Sequence, residues 1–134
     1  MKSVSLLFLS LLLVSHGFGS TDKELARLRS ALIAARSQTD MNLRSGEVAQ
    51  YLDRKVTTLE ERIKKDLDTE AMSLFVAASE KWRDYRMAQT KAEGDVYRGG
   101  SMQPLVHNQV FSRITEERLA ALQDWDPEGK YKEK

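Results

Sequence analysis

The chain contains no cysteine. Disulfide staples, thiol nucleophiles and thiolate metal sites are therefore excluded. Histidine is almost as scarce: His16 lies in the N-terminal apolar segment, which leaves His107 alone in the body of the chain. One imidazole without thiolates does not make a zinc site of the usual kinds, so no metal and no cofactor is expected. There is no Gly-x-Ser-x-Gly elbow, no phosphate-binding loop and no dinucleotide fingerprint. Catalysis needs a nucleophile, a tuned acid or base, or a metal. These absences argue for a protein that is not an enzyme.

Proline occurs twice and glycine seven times in 134 residues, so little interrupts long helices. Charge of one sign is also missing. There are 21 Lys and Arg against 20 Asp and Glu, and an N-terminal leader would carry away Lys2, leaving the rest formally neutral. A balanced surface gives no electrostatic case for nucleic acid or an anionic membrane.

Residues 1–19 read as a cleaved secretory signal peptide. Lys2 supplies the positive start, Leu6 to Val14 the apolar core, and Gly17 and Gly19 the small residues before the cut. That apolar run is shorter than the roughly 20 residues a membrane span needs, so no stable span is expected after cleavage. The expected location is the bacterial periplasm or the exterior.

Helical spacing dominates the remainder. Thr21 and Glu24 fit a capping box, and Leu25, Leu28, Leu32 and Ala35 follow on one stripe, which predicts a helix from about Asp22 to Gln38. The polar run Thr39 to Gly46 reads as a loop. Val48, Leu52, Val56, Leu59, Ile63 and Leu67 then recur at steps of three and four, an amphipathic helix starting near Glu47. Glu60 and Glu61 are read as solvated, each paired with a lysine four residues on. Asp68 or Thr69 caps a third helix, unless the second and third are one bent rod. Its face should be Leu74, Ala78, Trp82, Tyr85 and Ala88. Gly99-Gly100 breaks it, because glycine reaches positive φ without steric cost. Ser101 should cap a last helix with Pro104 in its first turn. That helix carries Leu105, Val106, Val110, Ile114, Ala121, Leu122 and Trp125. His107 is expected at its boundary. Asp126 to Gly129 ends the helix and Tyr131 to Lys134 is a polar tail. The expectation is an all-α bundle of three to four helices. Trp82, Tyr85, Tyr97 and Trp125 should be largely core, and Arg83 and Arg86 should bridge to carboxylates such as Glu116 or Glu117.

The run Trp82-Arg83-Asp84-Tyr85-Arg86 precedes the turn Tyr97-Arg98-Gly99-Gly100-Ser101. The turn is followed by Pro104-Leu105-Val106 and by Thr115-Glu116-Glu117-Arg118-Leu119. In this order and spacing the segments resemble the LprI-type lysozyme inhibitor domain, a small helical domain of exported bacterial proteins. The resemblance covers roughly residues 50–125. It implies a division into residues 20–49, an N-terminal helix and loop, and residues 50–126, the domain proper, followed by the tail 127–134. It singles out Trp82, Tyr85, Arg86, Thr115 and Arg118 as the structural motif. Members typically carry a cysteine after the Tyr-Arg pair and another in the last helix. By spacing those places fall near Thr90 and Val110, so this chain dispenses with that bridge.

Two functions compete. In the first, the protein occludes a muramidase cleft with the turn Tyr97, Arg98, Gly99, Gly100 and Ser101. Tyr97 is then the aromatic anchor, and Arg98 a cation for the catalytic carboxylates. In the second, it is a structural or adaptor domain of the envelope that binds another protein through a helix face.

Overall fold

The structure, a computed structural model, describes residues 22–125. Four helices make up almost all of this span: α1 (Lys23–Ala34), α2 (Gln38–Lys64), α3 (Thr69–Gly94) and α4 (Gln103–Asp124). A 3-10 turn, Asp95–Tyr97, follows α3, and no strand occurs among the described residues. The expected signal peptide, Thr21, the expected Asp126–Gly129 stop and the expected polar tail lie outside the described residues.

Each helix start has a local cause. At α1 it is Asp22 that caps, accepting from the Leu25 N–H at 3.0 Å, in the role expected of Thr21. Tyr51 Oη also donates to Asp22, and Lys55 lies 3.4 Å away, so the cap ties α1 to α2. α1 stops at Ala34, short of Gln38, because Ala35 turns to extended backbone. Ser37 then caps α2 through the Asp40 N–H. The run Thr39 to Gly46 is therefore helical and not a loop. Its polar residues are used inside the bundle: Ser45 is buried, its Oγ donates to the Asn42 carbonyl, and Asn108 of α4 donates to both. Asp68 caps α3 through the Ala71 N–H, so α2 and α3 are two helices. α4 starts after Met102 with no side-chain cap; Ser101 stays in the turn, and Pro104 occupies the first turn of the helix.

α4 packs between α2 and α3, and α1 lies against α2. One apolar cluster joins Val56, Leu59 and Ile63 of α2, Phe75 of α3 and Leu122 of α4, with Leu67, Trp82 and Leu119 against it. A second joins Leu28 of α1 to Val48 and Leu52 of α2. Burying such side chains contributes roughly 1.5–3 kcal/mol each, and no disulfide adds to it. α3 and α4 are antiparallel. Their register is marked by Ser79 with Arg118, Arg86 with Thr115, and Glu93 with Arg113.

The face that α3 buries is not the expected one. Phe75, Ser79, Arg86, Thr90 and Gly94 point inward, with Trp82 beside them. Leu74, Ala78, Tyr85 and Ala88 are exposed. The inward face is mostly polar and small, so apolar periodicity pointed about a third of a turn away from it. Gly94 is inward because the His107 ring lies on it; a Cβ there would overlap the imidazole.

Candidate functional site

The connection between α3 and α4 is the longest fully exposed run among the described residues. Every residue from Asp95 to Met102 is exposed. It is nonetheless closed by its own hydrogen bonds. The Arg98 N–H donates to the Asp95 carbonyl at 3.0 Å, and the Gly100 N–H to the Tyr97 carbonyl at 2.9 Å. Gly99 has φ 73°, which only glycine adopts readily, and its N–H donates to Gln103 Oε1 at 3.2 Å. Asn42 of α2 donates to the Ser101 carbonyl at 3.0 Å and anchors the turn to the bundle.

Three apolar side chains stand out on this turn: Val96, 84 % exposed, Met102, and Tyr97, 40 % exposed. Arg98 is not a free cation. Its guanidinium meets the Asp95 carboxylate two-pronged, at 2.8 and 2.6 Å. The turn thus presents an apolar patch with a neutralised ion pair beside it. Val96, Met102, Asp95 and Asn42 were not singled out by sequence reasoning. The isolated valine between Asp95 and Tyr97 was the available signal, since an apolar residue next to paired glycines has no core to enter.

The tryptophan–arginine segment does a different job. Arg83 of α3 and Arg118 of α4 both donate to the buried Glu60 of α2, at 2.6 and 3.1 Å. Glu60 is 1 % exposed, against the expectation of a solvated face. Burial pushes its carboxyl up, but hydrogen bonds from Arg83, Ser79 and Arg118 outweigh that and hold it below the ordinary glutamate range. Arg86 is buried and donates to Asp53 of α2 at 2.7 Å and to Thr115 Oγ1 of α4 at 3.0 Å. Its guanidinium lies 4.4 Å from the Trp82 ring centre and 3.8 Å from that of Phe111. Arg83 and Arg118 also approach the Trp82 ring. These carboxylates, Glu60 and Asp53, take the place of the expected Glu116 and Glu117, which pair instead with Arg29 and Arg113.

Trp82, Arg86, Thr115 and Arg118 are therefore brought together where α2, α3 and α4 meet. Tyr85 is not: it is 53 % exposed on the outer side of α3. Trp125 is likewise exposed, although its ring lies tilted against that of Phe75, with centres 5.2 Å apart. The three-arginine junction, with Glu60 and Arg86 buried at its centre and Arg83 at its edge, joins α2, α3 and α4.

Little else among the described residues offers chemistry. A shallow cleft of about 260 Å³ between α1 and α2 is lined by Glu24, Arg27, Leu28, Arg44, Glu47, Gln50 and Arg54. Its charges are mostly spent on one another, Arg27 on Glu24 and Arg44 on Glu47 and Asp40. No group of three or more His, Cys, Asp or Glu among the described residues is placed to hold a metal ion. No helix among them is long and apolar enough to cross a membrane.

Residues 20–122 match the family model described as Lysozyme inhibitor LprI. The match begins before α1, so it takes in the segment from residue 20 as well as the tryptophan–arginine region from which the likeness is legible. No curated protein and no solved structure gives a match.

Proposed function

The chain belongs to the lysozyme inhibitor LprI family, and on that footing we propose that it is an exported binding protein that blocks a muramidase cleft with the turn from Asp95 to Met102. An inhibitor family fits a protein without catalytic machinery. Lysozyme acts outside the cytoplasm, which fits a periplasmic or secreted protein with a cleaved leader.

The observation that carries the reading is the combination of full exposure and internal closure in this one segment. A protruding, hydrogen-bonded turn loses little conformational freedom when it enters a cleft, and such preorganisation favours affinity. Val96, Tyr97 and Met102 supply the apolar contact. Tyr97 and Arg98 are residue types favoured at binding hot spots. Arg98 has a partner already, so reaching an enzyme carboxylate requires it to leave Asp95. Arg98 therefore contributes less than the apolar residues do.

The test is titration of lysozyme with the mature protein, followed by the same titration with Val96→Asp and Tyr97→Ala. Both sites are exposed, so the fold should survive, as circular dichroism would show. Loss of inhibition in both variants supports the turn. Inhibition that both variants retain moves the site elsewhere. No inhibition by the natural sequence at large molar excess removes the lysozyme reading and leaves an envelope adaptor.

A further inference from the structure

The turn from Asp95 to Met102 carries only two charged side chains, Asp95 and Arg98, and they are spent on each other. Arg98 Nε and Nη2 donate to the two carboxylate oxygens of Asp95 at 2.8 and 2.6 Å, so one whole edge of the guanidinium is taken. The backbone repeats the tie, since the Arg98 N–H donates to the Asp95 carbonyl. Both side chains still face water, Arg98 76 % and Asp95 54 % exposed. Helix stability does not account for this aspartate. Asp95 is the C-cap of α3, at the negative end of the helix dipole, where a cation is favoured and an anion is not. By contrast Glu24 and Asp40, which also pair with arginines close in sequence, sit in the first turns of α1 and α2, where the dipole favours an acid.

We propose that Asp95 is an internal competitor for Arg98 and thereby sets which clefts the turn accepts. The inference rests on the lysozyme reading and deepens it. Glycoside hydrolases cut with a pair of carboxyl groups that flank the scissile bond. A guanidinium entering such a cleft meets acceptors of the kind that Asp95 already supplies. The carboxylate of Asp95 reaches Arg98 first because it is three residues away on a closed turn.

The competition has two outcomes, and neither rewards the cation. If the pair enters the cleft intact, the turn is neutral there and is read through Val96, Tyr97 and Met102. If Arg98 is drawn across to the enzyme, Asp95 is left unpaired and facing an acidic cleft, and that repulsion offsets the gain. An exposed ion pair is worth a factor of about five at most, so the competitor lowers affinity without abolishing it. The natural turn therefore selects a cleft by its apolar wall more than by its acidity.

Lysozyme inhibition by four chains reads the competition: the mature natural sequence, Asp95→Asn, Arg98→Ala, and the chain with both changes. Asp95→Asn keeps the size of the side chain and leaves Arg98 as the single charge of the turn. It should raise potency by about threefold to fivefold at low salt, and added salt should shrink the gain by screening. Arg98→Ala leaves a lone anion in the turn and should lower potency by about threefold to fivefold. The double variant should recover most of that loss, a coupling that the lost packing of the arginine alone does not produce. Both positions are exposed, so circular dichroism should be alike for all four chains. If the natural sequence inhibits and Asp95→Asn is no stronger, the inference is overturned and the lysozyme reading stands. A double variant as weak as Arg98→Ala overturns it in the same way. Inhibition by none of the four removes the lysozyme reading and this inference with it.

Discussion

Glu60 on α2 and Arg83 on α3 meet at 2.6 Å, with the carboxylate almost wholly buried and the guanidinium still partly in water. Arg118 of α4 reaches the other carboxylate oxygen, so one acid holds two cations from two helices. Removing the acid leaves Arg118 buried and without its anion.

Glu60→Gln should therefore destabilise the bundle by about 3 kcal/mol, the lower end for breaking a buried pair, because Arg83 is 38 % exposed. Urea unfolding at neutral pH measures this. Glu60→Met, which removes the charge but fills the space, should fare no better, since both arginines stay.

Acid should act through the same group. The carboxyl of Glu60 is held below its ordinary value in the fold, so protons bind the unfolded chain more readily. The stabilisation is complete above the unfolded glutamate range, near about pH 4.3, and is lost as pH falls through the lower folded value. Asp22, lowered despite burial by the Leu25 N–H, Tyr51 and Lys55, adds in the same direction. Unfolding midpoints between neutral pH and pH 3 should fall, and fall less steeply in Glu60→Gln.

What the sequence disclosed and what it hid follow from the same chemistry. The α2 stripe was legible because Val48, Leu52, Val56, Leu59 and Ile63 are both apolar and inward. The turn was legible because paired glycines have few other uses. The α3 face was misread because its inward residues are Ser79, Arg86, Thr90 and Gly94, while Leu74 and Tyr85 point out. Periodicity registers transfer energy and is blind to an arginine buried between two aromatic rings. Glu60 looked solvated for the same reason, as its partners lie 23 and 58 residues away. Ser45 looked like loop until Asn108 supplied its contact.

Gly94→Ala should cost stability despite the better helix propensity of alanine, about 1 kcal/mol in its favour. The added methyl meets the His107 ring, and α3 and α4 must part locally. A net loss of about 1–2 kcal/mol is expected. His107→Ala in the same chain should recover part of it, and thermal unfolding of the single and double variants measures the coupling.

Thr90 and Val110 are both buried, Thr90 between the Arg86–Thr115 and Gly94–His107 contacts and Val110 on the opposing stretch of α4. Thr90→Cys with Val110→Cys should therefore form a disulfide on oxidation. The closed loop is short, so a gain of about 3 kcal/mol over the reduced form is expected. Thiol titration and the unfolding midpoint, with and without reductant, check this.

The most direct measurement is the lysozyme titration with the mature natural sequence beside its Val96→Asp form. The account predicts inhibition by the first and a loss of at least about tenfold in potency in the second, with both equally helical, because an apolar anchor has been replaced by a charge that must lose its water. Equal potency of the two would contradict it.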